Sequence, residues 1–164
     1  MANTQLGDTT VSTVGELPAV GSQAPGWDLV GLKFQPVTDA DADGKRVVLN
    51  IFPSIDTGVC QASVRAFNEK AGSRDDAVVL NVSADLPFAQ SRFCGAEGIE
   101  GVTNASTFRS DFGSSYGVTI SDGPMAGLLS RAVVVVDAEG NVAYTEQVPE
   151  IGQEPDYEAA LGAL

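Results

Sequence analysis

The sequence predicts an α/β protein with a mixed central β-sheet flanked by helices. Two runs of mostly apolar, β-branched residues, RVVLNIF at Arg46–Phe52 and AVVLNV at Ala77–Val82, are typical of buried strands. Residues with helical spacing lie between them, and a third apolar run at Ala132–Asp137 leads into a hairpin. The 164 residues fit one domain, 1–164, in which residues 1–45 form a hairpin-rich N-terminal extension.

The first half of the chain alternates short strands, turns and one helix. Val11–Val14 and Leu29–Phe34 are predicted as brief strands between turns rich in Gly and Pro. After the strand at Arg46–Phe52, apolar side chains recur at helical spacing over residues 59–71, and Gly72 follows as a stop signal. The helix and its two flanking strands make a β-α-β unit, which is right-handed in nearly all proteins.

The second half adds helices and a hairpin. Asp85 is predicted to cap a helix that has Pro87 in its first turn and runs to Cys94. A short helix is predicted at Thr107–Tyr116. The last predicted elements are the strands Ala132–Asp137 and Val142–Gln147 and a helix at Pro155–Leu161. A β-α-β unit followed by a β-hairpin and a final helix is the order of the thioredoxin fold, here with an N-terminal β-hairpin extension.

The composition excludes several classes of function. The chain has 9 basic and 22 acidic side chains and a formal net charge of −13, so it lacks the basic surface that binds nucleic acid or anionic membranes. It has no histidine, which excludes Ser-His-Asp and Cys-His catalysis, and its two cysteines cannot complete a zinc site. No apolar run approaches the ~20 residues of a membrane helix, and the first residues do not resemble a signal peptide. We expect a cytoplasmic protein whose thiols are reduced unless they do redox work.

Cys60 is the first candidate for chemistry, because it follows a strand and lies in the first turn of a predicted helix. The N–H groups and the dipole of a helix N-terminus stabilise a thiolate. Thr57, three residues earlier, is expected to place a hydroxyl near the sulfur or near a bound oxygen substrate. Pro53 is expected to stiffen the loop and shield the site. The alternative is that Cys60 is a small buried apolar residue, the usual role of a free cysteine.

Cys94 lies at the predicted end of the second helix. Two cysteines at helix termini can form a catalytic disulfide only if their Cα atoms come within ~7 Å, which two separate helices reach by local rearrangement. Gly95 and Gly98 make partial unwinding at this point less costly. The alternative is an unpaired, partly buried thiol.

In the absence of histidine, the cation beside a reactive thiolate must come from lysine or arginine. Arg46 and Arg131 lie near predicted strand ends, and Arg65 lies one turn beyond Cys60. Arg131 directly precedes the strand AVVVVD, from which a long side chain can reach a neighbouring strand-to-helix turn. A solvated surface arginine is the alternative for each.

Two further motifs are weak. Asp39–Gly44 imitates the start of an EF-hand loop, but position 12 is Asn50 in an apolar strand instead of the required glutamate, so a solvated turn is expected. Cys60–Ser63 forms a C-x-x-S sequence of the kind found in monothiol glutaredoxins, a pattern that occurs often by chance.

The segments around both cysteines resemble one known family. PSIDTGVC at Pro53–Cys60 has the P-x-x-x-T-x-x-C pattern of the peroxiredoxin active site. Together with SADLPFAQSRFCGAEG at residues 83–98, it is similar to the bacterial thiol peroxidases, which are atypical 2-Cys peroxiredoxins. The stretches STFRSDFGSSYGV, SDGPMAGLLSRAVVVVD and EPDYEAAL are similar too, so the resemblance covers essentially the whole chain.

The resemblance implies a thioredoxin-dependent peroxidase that needs no metal or bound cofactor. Cys60 would be the peroxidatic cysteine and Cys94 the resolving cysteine, joined in an intramolecular disulfide that thioredoxin reduces. Thr57 would hydrogen-bond the thiolate and the peroxide, Pro53 would screen the intermediate, and Arg131 would stabilise negative charge. The implied substrates are hydrogen peroxide and alkyl hydroperoxides, and the family is typically a homodimer.

Two other functions stay open at this point. The C-x-x-S sequence is compatible with a glutathione-linked thiol–disulfide oxidoreductase, and both cysteine segments are compatible with a non-catalytic redox sensor. One position differs from some members of the family: Asn81 stands where they carry a further cysteine. Only one intramolecular bridge is therefore possible in this chain.

Overall fold

A computed structural model describes all residues from 1 to 164. The chain forms nine β-strands and four α-helices, with one short 3-10 helix at Asp39–Ala42. The strands are β1 Asn3–Leu6, β2 Thr9–Ser12, β3 Asp28–Gly31, β4 Pro36–Thr38, β5 Arg46–Ile51, β6 Ala77–Ser83, β7 Thr103–Ser106, β8 Ala132–Val136 and β9 Val142–Gln147. The helices are α1 Gly58–Ala71, α2 Pro87–Glu97, α3 Phe112–Ser115 and α4 Tyr157–Gly162.

Seven of the strands form one mixed sheet in the order β4-β3-β7-β6-β5-β8-β9. β5, β6 and β7 are parallel, while the pairs β5–β8, β8–β9, β3–β4 and β3–β7 are antiparallel. Strands β1 and β2 form a separate antiparallel hairpin. The mixed sheet, the β-α-β unit and the later hairpin confirm the predicted fold class.

The two faces of the sheet bury different sets of side chains, because successive residues of a strand point to opposite sides. On one face, Val48 packs with Phe67 of α1 and Ala160 of α4. On the other, Leu49 packs with Phe112 of α3 and with residues of the N-terminal segment. Fully burying a side chain of this size contributes roughly 1.5–3 kcal/mol. Burial on both faces explains why the central strands are continuously apolar.

Strand β7 was not predicted, because its sequence, Thr103–Ser106, is short and polar. It is nevertheless buried, since it lies between β6 and β3 and pairs with both. The predicted helix at Thr107–Tyr116 is correspondingly shorter, and only Phe112–Ser115 is helical. The preceding residues form a turn in which the Ser110 N–H donates to the Thr107 carbonyl over 3.0 Å.

The boundaries of α2 differ from the prediction at both ends. Leu86 occupies the N-cap position with Pro87 as the first helical residue, so Asp85 is not the cap. The helix continues beyond Cys94 to Glu97 and ends at Gly98, which has a φ of 64°. Glycine adopts this left-handed conformation without steric cost, so the stop signal lies three residues later than Gly95.

The N-terminal strands divide between two sheets. The predicted strand Val11–Val14 corresponds to β2 of the small hairpin, and the predicted strand Leu29–Phe34 ends at Gly31. A turn through Phe34, which has a φ of 63°, then leads into β4. β3 and β4 extend the main sheet beyond β7. None of the helices is both long and apolar enough to cross a membrane.

Candidate active site

Cys60 is the third residue of α1 and lies in its first turn, beyond the carboxyl end of β5. Its side chain is fully buried in a small apolar cluster that includes Phe52, Ile55 and Val64. The extended backbone of Thr57 begins the helix at the N-cap position. The strand-turn-helix location predicted for Cys60 is therefore present, and the positive end of the helix dipole lies beside the sulfur.

Arg131 makes a direct contact with Cys60. The Arg131 Nη2 group donates to Cys60 Sγ over 3.2 Å, and Nε donates to the carbonyl of Ile151 over 2.7 Å. Arg131 is 2% exposed as a residue, and its Nη1 has no hydrogen-bond partner within the chain. The strand register explains this position. Ala132 pairs with Ile51 at the end of β5, and Arg131 directly precedes Ala132, so it lies at the edge of the sheet from which the Cys60 loop begins.

The loop before Cys60 is held by the carboxylate of Asp85. Ser54 Oγ donates to Asp85 Oδ1 over 2.9 Å, and the Ile55 N–H donates to Oδ2 over 2.7 Å. Ser83 Oγ also donates to Oδ2, over 2.7 Å. Asp85 therefore fastens the Cys60 loop to the end of β6 instead of capping α2, which the sequence reasoning did not foresee.

Pro53 and Thr57 flank this loop differently. Pro53 is buried two residues after the end of β5, whereas Thr57 is exposed. The hydroxyl of Thr57 donates to the Ser54 carbonyl over 3.0 Å and makes no hydrogen bond with Cys60 Sγ. In this conformation the Thr57 hydroxyl stabilises the turn.

Cys94 lies in α2 and belongs to the same apolar cluster as Cys60. Both cysteines are free thiols and both are buried. Asn104 of β7 donates through Nδ2 to Cys94 Sγ over 3.0 Å. Burial raises the pKa of the Cys94 thiol, and the hydrogen bond from Asn104 opposes this shift. The arrangement is that of a dithiol in which each sulfur accepts a hydrogen bond from a different partner.

Sequence reasoning also missed the buried polar residues behind the two cysteines. Asn50, Asn81 and Asn104 lie on β5, β6 and β7, and Ser63 lies on α1. Asn50 Nδ2 donates to both Ser63 Oγ and Asn81 Oδ1, and Ser63 Oγ donates to the Cys60 carbonyl. The signal was present in the sequence, because an asparagine interrupts each of these buried strands.

The other candidate groups lie elsewhere. Arg65 pairs with Glu97 over 2.6 Å, and Arg46 pairs with Asp76 over 3.6 Å, so neither contacts Cys60. The Asp39–Gly44 stretch begins with the 3-10 helix, where Asp41 accepts a hydrogen bond from the Thr38 N–H. Of the three candidate arginines, Arg131 alone reaches the sulfur.

The site can support nucleophilic chemistry without a general base. A buried guanidinium and a helix N-terminus stabilise negative charge on sulfur, and neither group takes up the proton. A second thiol in the same apolar cluster provides a partner for thiol–disulfide exchange. The chemistry that fits is attack by a thiolate on a small oxidising electrophile, which accepts two electrons as the two thiols become a disulfide.

Comparison with known proteins agrees with this chemistry. The family model Redoxin matches residues 19–161. A thiol peroxidase of Mycobacterium tuberculosis is 62% identical over 164 residues, covering all of this chain and 99% of that protein. A thiol peroxidase of Corynebacterium glutamicum is 52% identical with the same coverage. The crystal structure of a peroxiredoxin-like protein from Aquifex aeolicus superposes with a TM-score of 0.93 at 40% identity, over 98% of this chain and 95% of that one. The chain therefore belongs to the Redoxin family, and the resemblance to the bacterial thiol peroxidases is confirmed.

Proposed function

We propose that this protein is a thiol peroxidase in which Cys60 attacks the peroxide. The contact between Arg131 Nη2 and Cys60 Sγ in a fully buried site carries the proposal. The Cys60 thiolate attacks the terminal oxygen of a hydroperoxide, so that an S–O bond forms and the O–O bond breaks. Cys60 becomes a sulfenic acid, and the leaving alkoxide or hydroxide takes a proton to give an alcohol or water.

The second step uses Cys94 as the resolving cysteine. Its sulfur attacks the sulfenic sulfur of Cys60, which releases water and forms an intramolecular Cys60–Cys94 disulfide. The shared apolar cluster supports this pairing, because it brings both cysteines to one region. Both cysteines are free thiols, each with its own hydrogen-bond donor, so the two sulfurs must approach to ~2.05 Å before the bond forms.

The proposed reductant is thioredoxin, and the proposed substrates are hydrogen peroxide and alkyl hydroperoxides. Two electrons pass from the thioredoxin dithiol to the Cys60–Cys94 disulfide, which returns both cysteines to thiols. The test is NADPH consumption with thioredoxin and thioredoxin reductase after addition of each peroxide. Cys60→Ser is expected to abolish turnover, and full activity in that variant would overturn the proposal.

Cys94→Ser is the matched variant for the second step. It is expected to consume about one peroxide per chain and then to stop turning over with thioredoxin, because the sulfenic acid has no resolving partner. Mass spectrometry would then detect the sulfenic or more oxidised Cys60. Sustained turnover in Cys94→Ser would overturn the role of Cys94 while leaving that of Cys60.

The same assay separates the other two functions. A glutathione-linked oxidoreductase would reduce mixed disulfides with glutathione and would need no peroxide. A redox sensor would form the disulfide but would react with peroxide no faster than a free thiol does. Rapid peroxide reduction coupled to thioredoxin excludes both.

We also propose that the protein works as a cytoplasmic homodimer. Leu86 and Phe88 at the start of α2 are exposed, and Phe88 contacts the exposed ring of Phe34, with centroids 5.2 Å apart. Phe108 adds a third ring to this group, 6.4 Å from Phe34. Contiguous exposed apolar side chains are typical of interaction surfaces. Light scattering on the purified dithiol protein tests the assembly, and a monomer mass at micromolar concentration would contradict it.

A further inference from the structure

A row of three buried asparagines crosses the sheet beneath the helices that carry the cysteines. The register pairs Asn50 of β5 with Asn81 of β6, and Asn81 with Asn104 of β7. The three side chains are 0%, 0% and 4% exposed. Burying an amide lowers the stability of the fold unless the amide is hydrogen-bonded. The hydrogen-bond partners of these three side chains therefore indicate the role of the row.

Hydrogen bonds orient the amides at the two ends of the row, whereas none joins Asn81 to Asn104. Asn50 Nδ2 donates to Asn81 Oδ1 over 2.8 Å, which turns the nitrogen of Asn81 away from β5. Asn81 Nδ2 and Asn104 Oδ1 are both buried and unpaired, and they are a complementary donor and acceptor at paired positions of neighbouring strands. Asn104 Nδ2 is at the end of the row, and it donates to Cys94 Sγ over 3.0 Å. The amide that faces the sulfur therefore presents its N–H group to it.

We propose that Asn104 is a positioning residue that favours the dithiol form of the Cys60–Cys94 pair over the disulfide. The inference rests on the proposed function, because it requires Cys94 to be the partner of Cys60. In the dithiol, Cys94 Sγ accepts the Asn104 hydrogen bond. In the disulfide, the two sulfurs must lie ~2.05 Å apart, so Cys94 Sγ moves toward Cys60 and becomes a weaker acceptor.

The Asn104 N–H group then loses its partner at a buried position. An unpaired buried donor is costly, and this cost is added to the disulfide form and not to the dithiol form. When a dithiol reductant gives two electrons and two protons to the bridge, the S–S bond breaks, both S–H groups return and Cys94 regains its hydrogen bond. Asn104 therefore makes the bridge easier to reduce, which suits an enzyme that must be recycled after every peroxide.

The test is the equilibrium between the full-length protein and mixtures of oxidised and reduced dithiothreitol. Trapping free thiols by alkylation and counting them by mass spectrometry gives the equilibrium constant for disulfide formation. Asn104→Leu keeps the volume but removes the donor, and Asn104→Ala removes the donor without any clash. Both are expected to raise this constant by about three- to tenfold, which is a potential ~15–30 mV more negative. An unchanged or lower constant in these variants would overturn the inference.

Val79→Ala is the matched control for general destabilisation. Val79 is 2% exposed on β6 and belongs to a different cluster from the two cysteines, so its truncation weakens the core without touching either sulfur. Its equilibrium constant is expected to equal that of the wild type within twofold. A shift as large as that of the Asn104 variants would overturn a specific role for Asn104.

Two readouts keep the inference separate from the proposed function and from folding defects. If the wild-type protein forms no Cys60–Cys94 bridge, the proposed resolving role of Cys94 fails, and the inference fails with it. If the bridge forms but the Asn104 variants titrate like the wild type, the inference alone fails. If the variants do not fold, NMR of the wild-type protein tests the inference instead, through the change of the asparagine side-chain amide signals on oxidation. Oxidation is expected to shift the Asn104 signals more than those of Asn50, and an equal or smaller shift would overturn the inference.

Discussion

Arg131 links Cys60 to a distant part of the chain. Its Nη2 group lies 3.2 Å from Cys60 Sγ, while its Nε group donates to the Ile151 carbonyl over 2.7 Å. The second contact fixes the plane of the guanidinium, so the first contact is held without further reorganisation. Electrostatic interactions of this kind are stronger in a buried site than in water. The pair of contacts supports the proposed role of Arg131 in the reaction at Cys60.

Replacing Arg131 by methionine is expected to slow the reaction of Cys60 with peroxide by roughly a hundredfold or more. The variant keeps an unbranched side chain but loses the donor aimed at the sulfur, and loss of one such donor costs about this much in other enzymes. The measurement is the single-turnover rate with hydrogen peroxide in a stopped-flow instrument. Circular dichroism would check that the variant is folded.

Arg65→Met is the matched control for this experiment. Arg65 lies one turn beyond Cys60 on α1, but its guanidinium pairs with Glu97 at the surface. We expect the single-turnover rate of Arg65→Met to stay within about threefold of the wild type, because an exposed ion pair contributes little to the free energy of the folded protein. Equal rates for the wild type and Arg131→Met would contradict a role for Arg131 in the chemistry.

Asp85→Ala is expected to lower both stability and the peroxide rate. The carboxylate accepts hydrogen bonds from Ser54 Oγ, the Ile55 N–H and Ser83 Oγ. Leaving such donors unpaired costs about 1–3 kcal/mol in the free energy of unfolding. The loop before Cys60 should also become more mobile, which weakens the alignment of the sulfur with the substrate.

Urea unfolding and single-turnover kinetics measure the two effects of Asp85→Ala. Asp56→Ala is a suitable control, since Asp56 is in the same loop but forms an exposed pair with Arg92. The control is expected to unfold and to react nearly like the wild type. If Asp85→Ala behaved like Asp56→Ala, Asp85 would not be holding the loop.

Local sequence signals were enough to locate Cys60, since a strand, a turn and a helix start follow one another along the chain. They were also enough to suggest Arg131, because it directly precedes the apolar strand AVVVVD, from which a long side chain can reach a neighbouring strand-to-helix turn. They did not predict β7, because three of its four residues are polar and it becomes a strand only through pairing with β3 and β6. Tertiary pairing overrides weak local propensity in such cases.

The roles of Asp85 and Asn104 could not be read from the sequence for a related reason. The position of Asp85 before Pro87 is compatible with a helix cap, and its actual partners are Ser54 and Ile55 on another loop. Asn104 contacts Cys94 because β7 lies beneath α2, and this depends on the same unpredicted strand. The partners of a side chain that contacts another helix, strand or loop can be named only when the order of the strands in the sheet is known.

The disulfide-forming step is expected to accelerate with pH. Burial raises the pKa of the Cys94 thiol, so at neutral pH this group is mostly protonated in the folded protein. The thiolate is the nucleophile, and its fraction rises about tenfold per pH unit below the pKa. The rate of disulfide formation after a single addition of peroxide should therefore rise from pH 7 to 9. A rate that is constant over this range would show that ionisation of Cys94 does not limit the step.

The last turn of α2 is fastened to α1 by Arg65, and loosening this contact is expected to favour opening of the helix. Arg65 Nη2 lies 2.6 Å from Glu97 Oε1, and its guanidinium lies 5.4 Å from the centre of the Phe93 ring, next to Cys94. The proposed bridge requires Cys94 to move toward Cys60, so the exchange of α2 amides with solvent would report an opening of the helix that precedes it.

In Arg65→Gln, amide exchange at residues 93–97 of the dithiol protein should become roughly two- to fivefold faster, the scale of one exposed ion pair. Salt should have a similar effect on the wild type, because it screens surface charges. Arg74→Gln is the control, since Arg74 forms a comparable exposed pair with Asp76 away from α2. Other contacts would hold the helix in place if exchange in α2 became faster in the Arg74 variant. The same would follow if the Arg65 variant exchanged no faster than the wild type.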